Sequence, residues 1–232
     1  MNTPRTYCAV VTEDLEQVLA HIMAKHPGQP ILATGISLGG IILGQYMAKM
    51  GSESAVRAAM LVSVPWDIHA GSVSLELPGL NMMLNRHLTR NLCDTVRPYY
   101  QDFRSVGIDM DEVLKSRTIR EFDERFTTCL FGLDNVDDYY TKATLKFKIP
   151  LIKIPVLCVN AADDMFQPFS ALPLKEIEQQ PNMAMVITSR GGHIGFMEGL
   201  VPSAPFFSER LFEQFVTSLV AALKDSSWEA IC

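Results

Sequence analysis

In the stretch ILATGISLGGIILG, residues 31 to 44, one serine is bracketed by glycines: Gly35 and Gly39 stand two positions either side of Ser37, in the pattern G-x-S-x-G. The apolar residues before Gly35 read as a buried strand and those after Ser37 as a helix, so the serine sits at a strand-to-helix turn. Such a turn forces its central residue to positive φ, at a cost of about 1–3 kcal/mol. The flanking glycines remove side chains that would collide. The gain is a hydroxyl standing clear of the backbone. The backbone N–H of Leu38 points from the helix start toward the place where an oxyanion would form. A tight turn with an incidental serine is the plain alternative, and the pentapeptide alone does not separate the two.

A serine hydroxyl is a poor nucleophile without a base, and the base needs an orienting acid. In this architecture the chain order is serine, acid, histidine, with the acid after a late strand and the histidine after the last one. PVLCVNAADDMFQP supplies a strand followed by Asp163 and Asp164, and MAMVITSRGGHIGFMEG supplies a strand followed by Gly191, Gly192 and His193. If the strand turns at Asn160, Asp163 lies three beyond it; counting back four from Pro168 selects Asp164. Asp163 is the preferred acid, with the other carboxylate capping a loop. His193 is the expected base, because Gly191, Gly192 and Gly195 free the backbone around it. His21, His26, His69 and His87 read as ordinary core or surface histidines.

The elements that must position these groups follow from periodicity. Thr12 to Lys25 carries Leu15, Val18, Leu19, Ile22 and Met23 on one helical face, with Thr12 as N-cap. Strands are expected at 31–34, 59–64, 155–160 and 183–189, and helices at 38–50, 172–180 and roughly 205–223, with Gly51 closing the second helix. The last helix shows Phe207, Leu211, Phe212, Phe215, Val216, Leu219, Val220 and Leu223 on one broad face. This alternation implies a parallel sheet with helices on its faces. From 66 to 150 the rhythm changes to charge, Met and Leu, and reads as an inserted helical cap. Its Leu75, Leu77, Leu80, Met82, Met83, Leu84, Leu88 and Leu92 read either as an acyl-chain pocket or, preferably, as the cap's own core. RTIREFDER places Arg117–Glu121, Arg120–Glu124 and Glu121–Arg125 at i, i+4, a salt-bridged helix face.

Composition narrows the classes. The chain has 232 residues, 48% of them hydrophobic, enough for one domain with a real core. A net charge of −6 without basic runs argues against a nucleic-acid partner. The five cysteines are scattered, without C-x-x-C, which disfavours a disulfide framework or zinc site, and Cys158 reads as a small core residue. DMDE lacks the glycine and spacing of a calcium loop, and no metal or cofactor is expected. No apolar window approaches the length of a membrane span, and the N-terminus lacks a signal-peptide pattern, so the chain reads as soluble.

GISLGGIILGQYMAKMG, RTIREFDERFTT, DDYY, IPVLCVNAADD and SRGGHIGFMEG together resemble the α/β-hydrolase superfamily, in the branch of abhydrolase domain-containing proteins one and three and the bacterial YheT group. The resemblance runs essentially end to end. It implies an α/β-hydrolase fold with an inserted cap, with Ser37, Asp163 and His193 at the matching catalytic positions. It also implies a serine hydrolase of acyl esters, the best-known case being a phospholipase A acting on phosphatidylcholines with medium-length or oxidised acyl chains. Members of the branch carry an N-terminal membrane anchor, the first strands, and a loop donating a second oxyanion N–H. Only 36 residues precede Ser37 here, so the chain is expected to be a fragment, an incomplete gene model or a shortened isoform. The strand at 31–34 should then expose an apolar edge, and a missing oxyanion donor would cost about 10²–10³ in rate.

The leading expectation is a lipase, esterase or phospholipase that meets its substrate at a membrane surface and needs no cofactor. An acyltransferase with the same triad is the nearest alternative, and a non-catalytic lipid- or partner-binding member is the alternative from another class.

Overall fold

The computed structural model of the protein describes residues 3–224. In chain order, α1 (Glu13–Lys25) leads to β1 (Ile31–Ile36), α2 (Leu38–Met50) and β2 (Val56–Val62). A run of helices follows: α3 (Ile68–Leu75), α4 (Leu80–Val96), α5 (Tyr100–Ser105), α6 (Met110–Val113), α7 (Ile119–Phe122), α8 (Thr128–Phe131) and α9 (Val136–Ala143). A π-turn over Asp123–Thr127 joins α7 to α8. The chain then returns to β3 (Val156–Ala161), α10 (Leu174–Glu178), β4 (Met183–Thr188) and α11 (Phe207–Lys224). The described residues form two compact units, 9–67 with 144–224 and 3–8 with 68–143.

In the first unit the four strands are parallel in the order β1-β2-β3-β4. Register pairs Ile36 with Val62, Val62 with Val159, and Ala161 with Thr188, which brings the C-terminal strand ends to one rim. β2 is buried except at Arg57. Its Met60 and Val62 pack with Val159, Ala161 and Phe196, and α11 lays Phe207, Leu211 and Phe215 against this cluster. The α11 face is narrower than its composition suggests. Leu219 joins Ala58, Phe212 and Val220 are exposed, and the Leu223 side chain lies outside the described residues. Residues 144–150 belong to this unit, where Leu145 fills the space that a Cβ on Gly44 of α2 would need. β1 is an edge strand and its Ile36 is 48% exposed.

α1 departs from its expected role. Of its five periodic apolar residues only Leu19 is buried, and Val18 and Met23 are exposed. The Thr12 hydroxyl donates to Glu16 Oε1 at 2.6 Å instead of capping a backbone N–H. Gly51 closes α2 at φ +53°, as the sequence suggests.

The helical unit has its own core of Cys93, Val96, Phe103, Ile108, Met110, Val113, Phe122 and Phe126. Phe103 and Phe126 meet edge to face at 4.8 Å. The Leu and Met run expected to form that core contributes little to it: Leu92 packs against it and Leu75 is buried, but Leu77, Leu80 and Met83 are exposed. The expected salt-bridge ladder is also mostly replaced. Arg125–Glu121 forms at 3.5 Å, while Arg120 pairs with Asp137 at 2.8 Å. Glu124 accepts the Val136 N–H, and Glu121 accepts the Arg117 N–H. The reason is local: Thr118 caps α7, leaving Arg117 outside the helix, and the π-turn changes the phase of the residues that follow.

Cys93, Cys129 and Cys158 are free thiols, and Cys232 lies outside the described residues. Cys158 is fully buried in β3, where desolvation pushes its thiol well up from the ordinary value. No described helix is long and apolar enough to cross a membrane.

Candidate active site

At the end of β1 the Ser37 N–H still donates to Val62 O at 2.9 Å, a last sheet bond, and the chain then turns directly into α2. Ser37 takes φ +50° and ψ −120°, so the strand-to-helix turn stores strain at a non-glycine residue. What makes the turn possible is not the symmetric glycine pair of the motif. A Cβ on Gly35 would sit 2.6 Å from Gly40 Cα and 2.9 Å from Gly39 O. One on Gly40 would strike Val64. Gly39, by contrast, faces open space. The close approach is therefore Gly35 against Gly40, where backbone meets backbone. The Leu38 N–H opens α2 and, as a first-turn donor, has no acceptor within the helix.

Ser37 Oγ lies 2.7 Å from His193 Nε2, and His193 Nδ1 lies 2.8 Å from Asp164 Oδ2. A carboxylate oxygen only accepts, so Nδ1 carries the proton toward Asp164 and Nε2 is left to accept from the serine hydroxyl. The Asp164 side chain is fully buried and the His193 side chain is 15% exposed. Phe166 lies against the imidazole, ring centroids 4.0 Å apart and planes 24° apart, and its N–H donates to Asp164 Oδ1 at 2.8 Å. Both carboxylate oxygens of Asp164 are thus engaged.

The preferred aspartate of the sequence reading is the wrong neighbour in geometric terms. Asp163 does not reach the histidine. Its Oδ1 accepts the N–H groups of Gly191 and Gly192, at 2.9 and 2.8 Å, and so ties the loop after β3 to the loop after β4. The one-residue difference has a cause. β3 continues one residue past Asn160 to Ala161, and the Asn160 side chain is committed to the core. It accepts from Trp66 Nε1 at 3.1 Å and donates to Val64 O at 3.2 Å. The turn starts from Ala161, whose carbonyl accepts the Asp164 N–H, and this moves the position by one.

Of the three glycines around His193, two are required by the backbone or its surroundings. A Cβ on Gly191 would lie 2.7 Å from Phe196, and Gly192 has φ +59°, whereas Gly195 meets only ordinary contacts. The sequence carries no signal that marks Phe166 for this role. An aromatic two residues after an aspartate is too common to signal a stacked histidine. Asp164 was the open alternative, and the count back from Pro168 is the signal that finds it. Among the described residues, no group of His, Cys, Asp and Glu is arranged to hold a metal ion.

Comparison with known proteins agrees with this arrangement at the level of fold. No family model matches the chain. It is 46% identical over 218 residues to the Mus musculus protein named Phospholipase ABHD3, covering 94% of this chain and 53% of that protein. It is 29% identical over 219 residues to YheT of Escherichia coli, covering 94% and 64%. Among solved structures, acylaminoacyl peptidase from Pyrococcus horikoshii superposes with a TM-score of 0.51 at 16% identity, over 88% of this chain and 27% of that one. The chain spans about half the length of the mammalian relatives it matches. With its parallel sheet, its strand-to-helix turn at Ser37 and these likenesses, the chain has the α/β-hydrolase fold and is similar to the proteins named ABHD3 and YheT.

Proposed function

We propose that the chain carries the catalytic apparatus of a serine hydrolase that cleaves carboxylic acyl esters. The observation that carries the reading is the continuous hydrogen-bonded path from Ser37 Oγ through His193 to Asp164. In this reading Ser37 Oγ attacks the ester carbonyl carbon while His193 Nε2 takes the hydroxyl proton. The Leu38 N–H stabilises the oxygen that becomes negative. His193 then gives its proton to the departing alkoxide, which leaves as the alcohol, and the acyl group stays on Ser37. Water attacks the acyl-enzyme with His193 again as base, and the carboxylic acid departs. Asp164 holds the ring in the required tautomer throughout and stabilises the imidazolium. The Phe166 face, stacked on the ring, supports the same cation through its π-electrons.

The proposed substrates are acyl-ester lipids presented by a membrane surface, with medium-chain phosphatidylcholines the most specific suggestion. That rests on the ABHD3-like resemblance and the name its relative carries, not on a feature of the site.

A fluorophosphonate probe tests the reading directly. The folded wild-type chain should be labelled, and Ser37→Ala should abolish labelling. A folded wild-type sample that stays unlabelled would defeat the proposal. Product analysis with added alcohols then distinguishes water from an alcohol as the acyl acceptor.

A further inference from the structure

The helical unit holds a pocket of about 550 Å³ whose walls carry Arg86, Arg90, Arg97 and Arg117 against a single carboxylate, Asp94. The sequence places three of these arginines on one stripe. Arg86 and Arg90 are one turn apart on α4, Asp94 is one turn further, and Arg97 directly follows the helix. Arg117 comes from the loop after α6 and completes the wall. Arg97 is committed to Asp94, its Nη2 3.2 Å from Oδ1. Among the described residues, no carboxylate pairs with Arg86, Arg90 or the Arg117 guanidinium.

Two like charges at i, i+4 on a helix repel each other, and a chain of net charge −6 had acidic residues with which to neutralise them. They are instead left facing a concavity within the size range of small-ligand sites. Guanidinium groups present planar forks of N–H donors that match the oxygens of a phosphate two at a time, which an ammonium does not. At the pocket wall Ser116 Oγ accepts from Arg125 Nη1 at 3.3 Å, which leaves its own proton free to donate. Cys93, beneath, is not a nucleophile. Its thiol is buried, donates to Val113 O, and is pushed up by desolvation.

We infer that this pocket is a binding site for a phosphate-bearing anion, a phosphate monoester or phosphodiester, held by Arg86 and Arg90 from one wall and Arg117 from another. The assignment does not depend on the proposed hydrolase chemistry, since none of these residues belongs to the Ser37 site.

The test uses the full chain and two probes. Inorganic phosphate is titrated calorimetrically at constant ionic strength, and phosphatidylcholine vesicles with and without phosphatidic acid are used for co-sedimentation. Arg86→Gln/Arg90→Gln should weaken binding of the effective probe at least tenfold, and Arg117→Gln should weaken it in the same direction. Lys175→Gln, which removes a positive charge from α10, should leave it unchanged. Saturation by inorganic phosphate without vesicle binding identifies a soluble phosphate ester. Vesicle binding that needs phosphatidic acid and the two α4 arginines identifies a lipid phosphate, and either result supports the site. If neither probe binds the wild-type chain, or the arginine variants bind as tightly as it does, the assignment falls. Should the double variant fail to fold, Arg117→Gln alone decides on the same criterion.

Discussion

In the sheet unit, the polar side chains at the tips of parallel strands are left free for one another: Ser37 after β1, Asp164 after β3 and His193 after β4. In the helical unit, polar side chains, buried or not, are taken up largely by backbone. Asn85 donates to Leu75 O at 3.3 Å and accepts from Ile119 N at 2.8 Å, joining the end of α3 to the start of α7. Glu124 takes the Val136 N–H at the start of α9, and Asp109 and Thr118 cap α6 and α7. The difference follows from the elements. Strands in a parallel sheet satisfy each other's backbone groups along their length, so beyond their ends only the loops draw on side chains: Asp163 and one oxygen of Asp164 accept loop N–H groups, and the other Asp164 oxygen is left for His193. Each helix leaves up to four N–H and four C=O groups unpaired at its ends. A unit cut into many short helices therefore needs many side chains merely to close them. Polar side chains mostly close helix ends in one unit, whereas in the other a few at the strand tips also reach one another.

The largest expected effect sharpens this contrast inside a single loop. Asp164→Asn should lower kcat by about 10⁴, because the amide favours the wrong imidazole tautomer, while the fold is retained. Asp163→Asn keeps an oxygen to accept from Gly191 and Gly192, and should retain activity within about tenfold while losing charge-assisted stability on the order of 1 kcal/mol. Ester hydrolysis rates and thermal midpoints of the two variants decide. Equal losses of activity would erase the distinction between the aspartate on the imidazole and the aspartate on the backbone.

Next in size is Gly35→Ala. Its new methyl group would meet the Gly40 backbone, which cannot move aside as a flexible side chain can, so a loss of about 3 kcal/mol or more is expected. Urea denaturation measures it. A near-neutral result would mean that the tight strand-to-helix turn is not what holds Ser37 in place.

The helical unit offers the corresponding test of buried charge. Burial pushes Asp123, on the π-turn, up from 3.8 to about 6, even though the hydroxyls of Thr127 and Tyr140 donate to it and favour its charged form. The folded chain then holds a proton that the unfolded chain has lost between about pH 4 and pH 6. Stability contributed by this group is present at the acid end, declines as pH rises through that window, and is flat above it. Asp123→Asn cannot ionise and should flatten this part of the curve, gaining on the wild type as pH rises toward neutrality. It should leave fluorophosphonate labelling of Ser37 intact. Parallel melting-temperature curves for the two proteins would sink the idea, and lost labelling would break the division of labour between the units.

The sheet unit was far more legible in the sequence than the helical one, for a physical reason. Its strands are short apolar runs bounded by turns, and its catalytic candidates sit where such runs stop, so local pattern and tertiary role coincide at Ser37 and His193. The register of a turn is less visible. Whether β3 ends at Asn160 or Ala161 depends on where the Asn160 amide finds partners, and Trp66 and Val64 lie nearly a hundred residues away. In the helical unit, amphipathic sequence over 109–132 announces helix but not its interruptions. Thr118 caps α7 and the π-turn at 123–127 shifts the helical phase, neither of which the apolar pattern marks, so the expected i, i+4 pairs mostly find other partners. Likewise, the run of leucines and methionines suggests a core, but the buried cluster lies mainly in residues 93–126, among them Phe103, Phe122 and Phe126.

The smallest effect is the most direct challenge to reading a motif by its letters. Gly39 is the second glycine of G-x-S-x-G, yet a Cβ there would meet nothing within 4 Å, and the residue has ordinary helical surroundings at the start of α2. Gly40, which the pattern does not name, is the one pressed against Val64 and Gly35. Replacing glycine by alanine inside a helix contributes up to about 1 kcal/mol where nothing obstructs it, since the unfolded chain has less freedom to lose. Gly39→Ala should therefore be neutral or stabilising by a few tenths of a kcal/mol to about 1 kcal/mol, and Gly40→Ala should be destabilising by about 1–3 kcal/mol. If chemical denaturation ranks them the other way, the turn around Ser37 is held by contacts other than the Gly35–Gly40 approach. If Gly39→Ala is stable but fails to hydrolyse esters, the open space beside it is where the substrate must pass, and the glycine serves the ligand and not the fold.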